Sequence, residues 1–439
     1  MPLYRCSLAG CLLAGLRGPS GTCMACSRRF CVEHITASSL HDCPTYESDP
    51  RAVDDMAEKN LQAELHELAQ RLNLVELARV ASSLRNGQGC TIHELDDQYL
   101  RTLPRGGMNI HLDIVFNDGV EWICRIRRRS ASIQDLPLDA QDAVVLSEAA
   151  TLLFLANQTS VPVPRVFKVV PPSTRDNLVG VGYLLMEKVA GKPMDWSSLN
   201  ALSKRKVLEQ LADIFHSIYE HPFPLIGCLH INNHPLAAFT SASAFSISHL
   251  VAEGALSQKE DGSTGFLGPF TSTCEYLKAS VASNTLCVSS RESQTSSISH
   301  YLALEKSFNR LASRYNFSAT KPENFYLRHM DDKGDHILLD DVYNIVAIID
   351  WEWAQTLPEP LAFSSPLFLV DVAAYYEGQD GLSEDERLFV TVLEEKGHAT
   401  LAKCVRNGRL AHRLAHLLDT DSDSGDIQIH WESYNRLIS

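Results

Sequence analysis

No run of apolar residues in these 439 reaches the ~18 that a membrane-crossing helix needs, so no membrane span is expected. Positive charge is scarce as well. Lys and Arg number 39 against 54 Asp and Glu, a net charge of −15 that works against wrapping DNA or RNA. Within residues 1–43 the balance reverses only slightly, with Arg5, Arg17, Arg28 and Arg29 against Glu33 and Asp42. A signal peptide is also missing from the reading: the apolar patch in MPLYRCSLAGCLLAG is broken by Cys6 and Cys11. The expectation is an intracellular protein, cytoplasmic or nuclear and not secreted, with no nucleic-acid and no membrane partner. A hydrophobic content of 45% and a charged content of 21% are those of a globular chain, long enough for two or three domains.

Cysteine, by contrast, is plentiful and unevenly placed: six of the 12 precede residue 44. The order is Cys6-x4-Cys11, then Cys23-x2-Cys26-x4-Cys31-x2-His34-x6-His41-x-Cys43. Eight soft or borderline ligands in so short a segment suffice for two tetrahedral zinc sites. The segment cannot bury a core, so metal would supply its folding energy. A disulfide knot is the alternative. Histidines at ligand positions and a reducing compartment weigh against it. Four protein ligands close a zinc site, so the module is read as structural and partner-binding. The order, and the sequence CMACSRRFCVEH, resemble the AN-one type zinc finger. That resemblance implies cross-bracing, with Cys6, Cys11, Cys31 and His34 on one Zn²⁺ and Cys23, Cys26, His41 and Cys43 on the other. The His34 to His41 gap is one residue longer than the usual family spacing.

Residues 44–60 are polar and acidic and read as a linker. From Met56 to Leu84, Leu61, Leu65, Leu68, Leu72, Val75 and Ala78 recur at helical spacing, which predicts a helix packed on the next domain. Strand-like runs Ile110–Phe116 and Val120–Ile126 flank Asn117-Asp118-Gly119, a hairpin signal. Just before them, Gly106-Gly107-Met108-Asn109 is either a plain loop or a place where backbone N–H groups approach phosphate. Helical patterns follow at 144–155 and 203–220. Residues 254–300 are Ser-rich and read as surface loops around a short helix near 274–282. Helices are expected at 305–314, 367–376, 384–395 and 398–418. His412-x3-His416 has metal-site spacing but lacks a protease's adjacent Glu, so exposed helix histidines are expected there.

The stretch 324–355, NFYLRHMDDKGDHILLDDVYNIVAIIDWEWAQ, places His329, Asp331, Asp335 and His336 on a loop before Ile337-Leu338-Leu339. A second apolar run, Ile345–Ile349, ends at Asp350. Loop, strand, turn, strand and acid is a scaffold that holds polar groups beside a ligand. The spacing resembles the H-x-D-x-x-x-x-N and I-D-W motifs of the aminoglycoside phosphotransferase and choline kinase branch of the protein-kinase-like enzymes, with His336 where that family has Asn. Ile226-Gly227-Cys228-Leu229 is similar to a turn of its fungal branch.

The resemblance implies an α+β, two-lobed fold behind a zinc-stabilised finger. Residues 1–45 form the finger, 46–88 an acidic linker and helix, 89–190 a small β-rich lobe and 191–439 a larger helical lobe. It implies ATP as donor and a hydroxyl-bearing small molecule or protein as acceptor. Asp331 would take the hydroxyl proton, with His329 of the same motif as a further catalytic residue, while Asp350 with His336 or Asp335 would hold Mg²⁺ or Mn²⁺. Arg125, or Arg127 on the same strand face, would hold the α- and β-phosphates, with Glu148 either pairing Arg125 or standing as a solvated helix residue. Gly106, Gly107 and Asn109 would cover the phosphates, and the backbone of Glu187 to Val189 would bind adenine. The alternative is an inactive pseudokinase or adaptor that binds nucleotide or protein partners.

Overall fold

The structure, a computed structural model, describes residues 6–11, 23, 28–31, 34, 43, 50–103, 108–128, 136–231, 244–259, 263–289, 295–315, 322–419 and 427–439. Helix α1 (Pro50–Arg71) begins inside the stretch that reads as a linker, and α2 (Leu74–Leu84) follows it after a break. The acidic composition of 50–60 belongs to one solvated face, because Val53 on the other side is buried. The break has a local cause. Asn73 caps the second helix, its side chain accepting the Glu76 N–H at 3.0 Å, and its own N–H donates to the Val179 carbonyl at 2.9 Å. Gly180, at φ +88°, permits the crossing, since a Cβ there would lie 2.2 Å from the Arg71 carbonyl.

Strand β1 (Cys90–Ile92) and helix α3 (Asp97–Thr102) lead to β2 (Asn109–Phe116) and β3 (Glu121–Arg127), which form the expected hairpin. Helix α4 (Leu138–Gln158) precedes β4 (Val166–Val170) and β5 (Tyr183–Glu187). The five strands make one antiparallel sheet in the order β1-β2-β3-β5-β4. Period-two alternation sorts its faces. Ile110, Leu112, Ile114, Trp122 and Cys124 pack against Leu65 of α1, Leu72 in the break, and Leu77 and Val80 of α2. His111, Arg125 and Arg127 fall on the opposite face, with Leu184 and Met186, where α4 packs through Val145, Ala149 and Leu152.

The rest is mainly helical. A two-residue strand β6 (Lys192–Pro193) and α5 (Ala201–Tyr219) come first, then two hairpins, β7 (Cys228–Ile231) with β8 (Phe245–Ser248) and β9 (Leu256–Gln258) with β10 (Thr264–Phe266). Helices α6 (Thr273–Ser289) and α7 (Thr295–Tyr315) are longer than their sequence patterns suggest. The Ser-rich region thus contains regular structure, because Leu277 and Val281 bury a stripe the serines mask. Strand β11 (Phe325–Arg328) pairs with β14 (Gln355–Pro358), and between them β12 (Ile337–Leu339) pairs with β13 (Ile345–Ile348). Helices α8 (Glu359–Ala362), α9 (Val372–Tyr376), α10 (Glu384–Glu395), α11 (Ala399–Arg406), α12 (Gly408–Asp419) and α13 (Ile427–Ile438) finish the chain. The helix expected over 398–418 is two, divided at Asn407. Asp371 caps α9 by accepting the Ala374 N–H at 3.0 Å. His412 is buried, against the expectation of an exposed residue: its ring bonds the Ser365 carbonyl at 2.8 Å and Arg409 at 3.2 Å. Among the described residues, no helix is long and apolar enough to cross a membrane.

Candidate functional site

The β11–β14 ladder frames the loop 329–336 and leaves its polar groups between two rigid elements. Arg328 holds the loop from beneath. It donates to the Ala362 and Ser364 carbonyls at 3.0 and 2.8 Å and pairs with Asp332, which also accepts the Leu367 N–H at 3.1 Å. His329 joins the two predicted acids. Its Nδ1 accepts the Asp331 N–H at 3.2 Å and its Nε2 lies 2.9 Å from the Ile349 carbonyl. The first bond leaves Nδ1 unprotonated, so Nε2–H is the donor to Ile349. Burial holds the His329 pKa below its usual value and keeps the ring neutral. Asp331 and Asp350 therefore adjoin opposite ends of one fixed imidazole.

The Asp331 side chain is 45% exposed and meets Lys333 Nζ at 3.0 Å. Its carboxylate can accept a proton from a hydroxyl placed there. His336 lies deeper, stacked on His329 with ring centroids 4.1 Å apart. Burial, and then the His329 neighbour, push its pKa down to about 2. Its Nδ1 accepts the Gly334 N–H at 3.4 Å, which places the proton of the neutral ring on Nε2 and leaves no lone pair there. Asp335 is exposed.

Asp350 sits at φ +62°, a left-handed conformation uncommon outside glycine and often found at functional sites. That turn sends its carboxylate to Arg125, whose Nη2 lies 2.5 Å from Oδ1. Arg125 also faces Glu352 at 3.0 Å and Glu148 at 3.3 Å, the latter without hydrogen-bond alignment. Glu352 is shared further: Asn109 donates to it at 2.9 Å, and Arg127 pairs with its other oxygen. Two buried cations thus face three carboxylates. Burial raises the Glu148 pKa to about 8, helped by the Glu352 and Asp350 charges and opposed by Arg125. Burial also acts to raise Asp350, but Arg125 overrides it and holds that carboxyl below the usual range. Arg125 is pulled down by burial and pushed up further by its three acids, so it stays charged. Opposite it on β2, burial and the Arg125 charge lower His111 to about 4.

The Asp350 side chain is 47% exposed and anionic, the state a metal ligand needs. A cavity of about 320 Å³ adjoins Arg125, Glu148 and Glu352, but neither Asp331 nor Asp350 lines it. At the end of β5 the Glu187 N–H donates to the Arg165 carbonyl at 2.8 Å and the Lys188 N–H to the Glu121 carbonyl at 3.3 Å. Those donors serve the sheet, and Val189 comes next along the chain. Asn109 serves Glu352. Gly106 and Gly107 lie outside the described residues.

A second constellation stands at the N-terminus. The ligand atoms of Cys6, Cys11, Cys31 and His34 all lie within 4.8 Å of one another. His34 Nδ1 is 3.3 Å from Cys6 Sγ and 3.1 Å from Cys31 Sγ, and the Cys11 and Cys31 sulfurs are 4.0 Å apart. A tetrahedral zinc with Zn–S near 2.3 Å requires sulfur separations of about 3.8 Å, so the four residues fit that ion. Burial raises the Cys6 thiol, but hydrogen bonds from the Leu8 and Cys31 backbone and from His34 bring it down to about 7, toward the thiolate a metal takes. Cys23 and Cys43 are described, while Cys26 and His41 lie outside the described residues. Phe30 is fully buried beside the four ligands, and Met56 of α1 packs on the same cluster.

Sequence reasoning passed over Glu352, Asp332 and Lys333. The repeated acids in DWE and in the loop 329–336 were the available signal, but spacing alone does not tell a buried partner from a solvated acid. No family model matches the chain. Over 130 residues it is 33% identical to the subtelomeric hrmA-associated cluster protein of Aspergillus fumigatus, in each of two strains. The aligned stretch is 29% of this chain, and it spans about a quarter, 24%, of those relatives' length. Similar solved structures include aminoglycoside 2'-phosphotransferase-IIIa in its GDP complex, at TM-score 0.43 and 15% identity over 83% of this chain and 99% of that one. A putative fructosamine-3-kinase from Thermobifida fusca gives 0.46 and 14% over 82% and 97%. The macrolide 2'-phosphotransferase type I gives 0.38 and 16% over 83% and 96%.

Proposed function

We propose that the chain from about residue 89 to 420 is a phosphotransferase of the aminoglycoside phosphotransferase-like kind, moving the γ-phosphoryl of ATP to a hydroxyl of a small molecule or protein. One observation carries the reading: His329 ties the Asp331 backbone to the residue before Asp350, and Asp350 itself meets Arg125 beside Glu148. Transfer of this kind depends on positioning and charge neutralisation, which such a line of fixed groups supplies. Asp331 orients the acceptor hydroxyl and takes its proton. Lys333, at its side, neutralises charge on the phosphoryl in transit. Arg125 releases Asp350 and turns to the α- and β-phosphates, a change between partners of like charge. The Val189 amide is the donor for adenine, and Gly106 and Gly107 allow the chain to approach the phosphates. Asp350 would hold Mg²⁺ or Mn²⁺, with Asp335 as the second carboxylate, and the bound ion would neutralise the phosphates. The Cys6, Cys11, Cys31 and His34 set would hold one structural Zn²⁺, and Cys23, Cys26, His41 and Cys43 a second, in a module that docks a protein partner.

A second reading, a nucleotide-binding platform without turnover, draws on His336. Its ring proton blocks the lone pair that a metal would need, and Mg²⁺ prefers oxygen in any case. Full-length protein incubated with γ-labelled ATP, Mg²⁺ or Mn²⁺ and cell extract separates the two. Asp331→Asn should lower transfer by about 10²–10⁴-fold, the scale of general-base catalysis. Asp350→Asn should abolish it. Labelling that survives both substitutions refutes the enzyme, and an ATP-dependent thermal shift without labelling selects the platform. Elemental analysis should return about two Zn²⁺ per chain, as two four-ligand sites require.

A further inference from the structure

The chain after Asp350 turns back into the small sheet. Glu352 is 3% exposed and accepts from three side chains of β2 and β3. Asn109 and Arg125 reach its Oε2 at 2.9 and 3.0 Å, and Arg127 pairs with its Oε1. Trp353 comes next and joins a cluster with Met108, Leu136 and Ala140 and with Leu256 and Phe266 of the β9–β10 hairpin. The Arg127 Cζ lies 5.0 Å from its ring. Trp353 stands at φ +68°, as Asp350 does at +62°. A bulky aromatic takes that left-handed conformation only where its surroundings hold it, and residues held so concentrate at functional sites.

A guanidinium Nη carries two hydrogens. Nη2 of Arg125 donates to Asp350 at 2.5 Å and to Glu352 at 3.0 Å, so both acceptors are served at once. Asp350 can therefore turn to a metal, and a phosphate oxygen take its place, while the Glu352 bond persists. Without that bond only Glu148 would remain, 3.3 Å from Nη1 and out of hydrogen-bond alignment. Arg127 is 8% exposed and pairs with no other carboxylate among the described residues. It is the counter-ion of Glu352, which separates two arginines that their shared strand face leaves equivalent.

From these contacts we infer that Glu352 is a positioning residue for phosphoryl transfer. Without touching nucleotide, it keeps the Arg125 fork aimed while phosphate replaces Asp350, and Arg127 and Asn109 keep Glu352 in place. The role rests on the proposed phosphotransferase reading.

The test measures binding to the full-length chain by isothermal titration calorimetry, with ATP and Mg²⁺ and with adenosine, which lacks every phosphate. Glu352→Gln keeps the size and loses the anionic acceptor. It should weaken ATP about 10–100-fold, the worth of a hydrogen bond between charged groups, and leave adenosine within about twofold. A merely structural defect does not produce that contrast, since a loosened fold weakens both ligands. Arg127→Gln spares the bonds from Arg125 and Asn109 and should weaken ATP less than Glu352→Gln does. If Glu352→Gln does not fold, Glu352→Asp, which keeps the charge but shortens the reach, takes its place with the same pattern expected. Equal losses for ATP and adenosine, an unchanged ATP affinity in the Glu352 variant, or a larger ATP loss in Arg127→Gln would each overturn the role. A wild type that binds ATP no tighter than adenosine refutes the phosphotransferase reading itself, and the role with it, before any variant is compared.

Discussion

Glu148 keeps a proton that almost every surface glutamate has lost at neutral pH, and this gives it a readable signature. Its pKa rises on folding from the usual carboxylate value to about 8. Between those values the native state holds a proton the unfolded chain has released, so this group's contribution to stability falls as pH rises and is lost above about pH 8. Glu148→Gln removes the titration. Its melting temperature relative to wild type should therefore climb from pH 6 and level off above about pH 8, which differential scanning fluorimetry would show; a constant gap contradicts the assignment. His336 offers a second residue-scale experiment. His336→Asn places an amide oxygen where the ring now carries N–H, and the ratio of Mg²⁺- to Mn²⁺-supported turnover should rise in a steady-state assay. The sequence pointed to Arg125, Glu148, Asp331 and Asp350 through the family resemblance that the motifs around Asp331 and Asp350 carry. It was silent on Glu352, since an acid between two tryptophans has no periodic signature, and on the ring proton of His336, which only the Gly334 amide determines.

Helix α1 touches two different parts of the molecule. Its N-terminal half sets Met56 on the finger's buried cluster, and its C-terminal half ties Glu64 to Arg128, 3.1 Å apart, at the end of β3. Removing metal from the Cys6, Cys11, Cys31 and His34 set should free the first half while the second stays packed through Leu65 and Leu72. Hydrogen exchange after chelation should thus accelerate across residues 50–60 and stay slow across 65–71; uniform acceleration over the whole helix would contradict this. Leu65, fully buried, is the stronger anchor, and Leu65→Ala should cost about 2–5 kcal/mol in denaturant unfolding. Elements with a clean period were legible from the sequence: the β2–β3 hairpin and α10 fall where the pattern places them. The start of α1 was hidden because a helix with one buried stripe and many acids looks like a linker. The break at Asn73 was hidden because helical periodicity continues across it while the capping bond depends on a single side chain.

At the scale of the whole molecule, buried neutral histidines govern acid tolerance. Burial holds His111 at about 4, His336 at about 2 and His412 and His430 at about 3, against about 6.5 in the unfolded chain. Below pH 6.5 the unfolded state binds protons that the native state refuses. Each histidine then subtracts up to about 1.4 kcal/mol per pH unit. Four such groups outweigh the opposing slope of the single Glu148, so the melting temperature should fall steeply between pH 6.5 and 5. His430→Gln should make that fall shallower; an acid-insensitive wild type would contradict the assignment. The packing of α1 and α2 across the sheet carries a practical corollary for anyone trimming the gene. Expression from residue 89 onward would strip the lid from Ile110, Leu112, Ile114 and Cys124, and the exposed greasy face should drive the shortened product into inclusion bodies, whereas a start at residue 50 should yield soluble material.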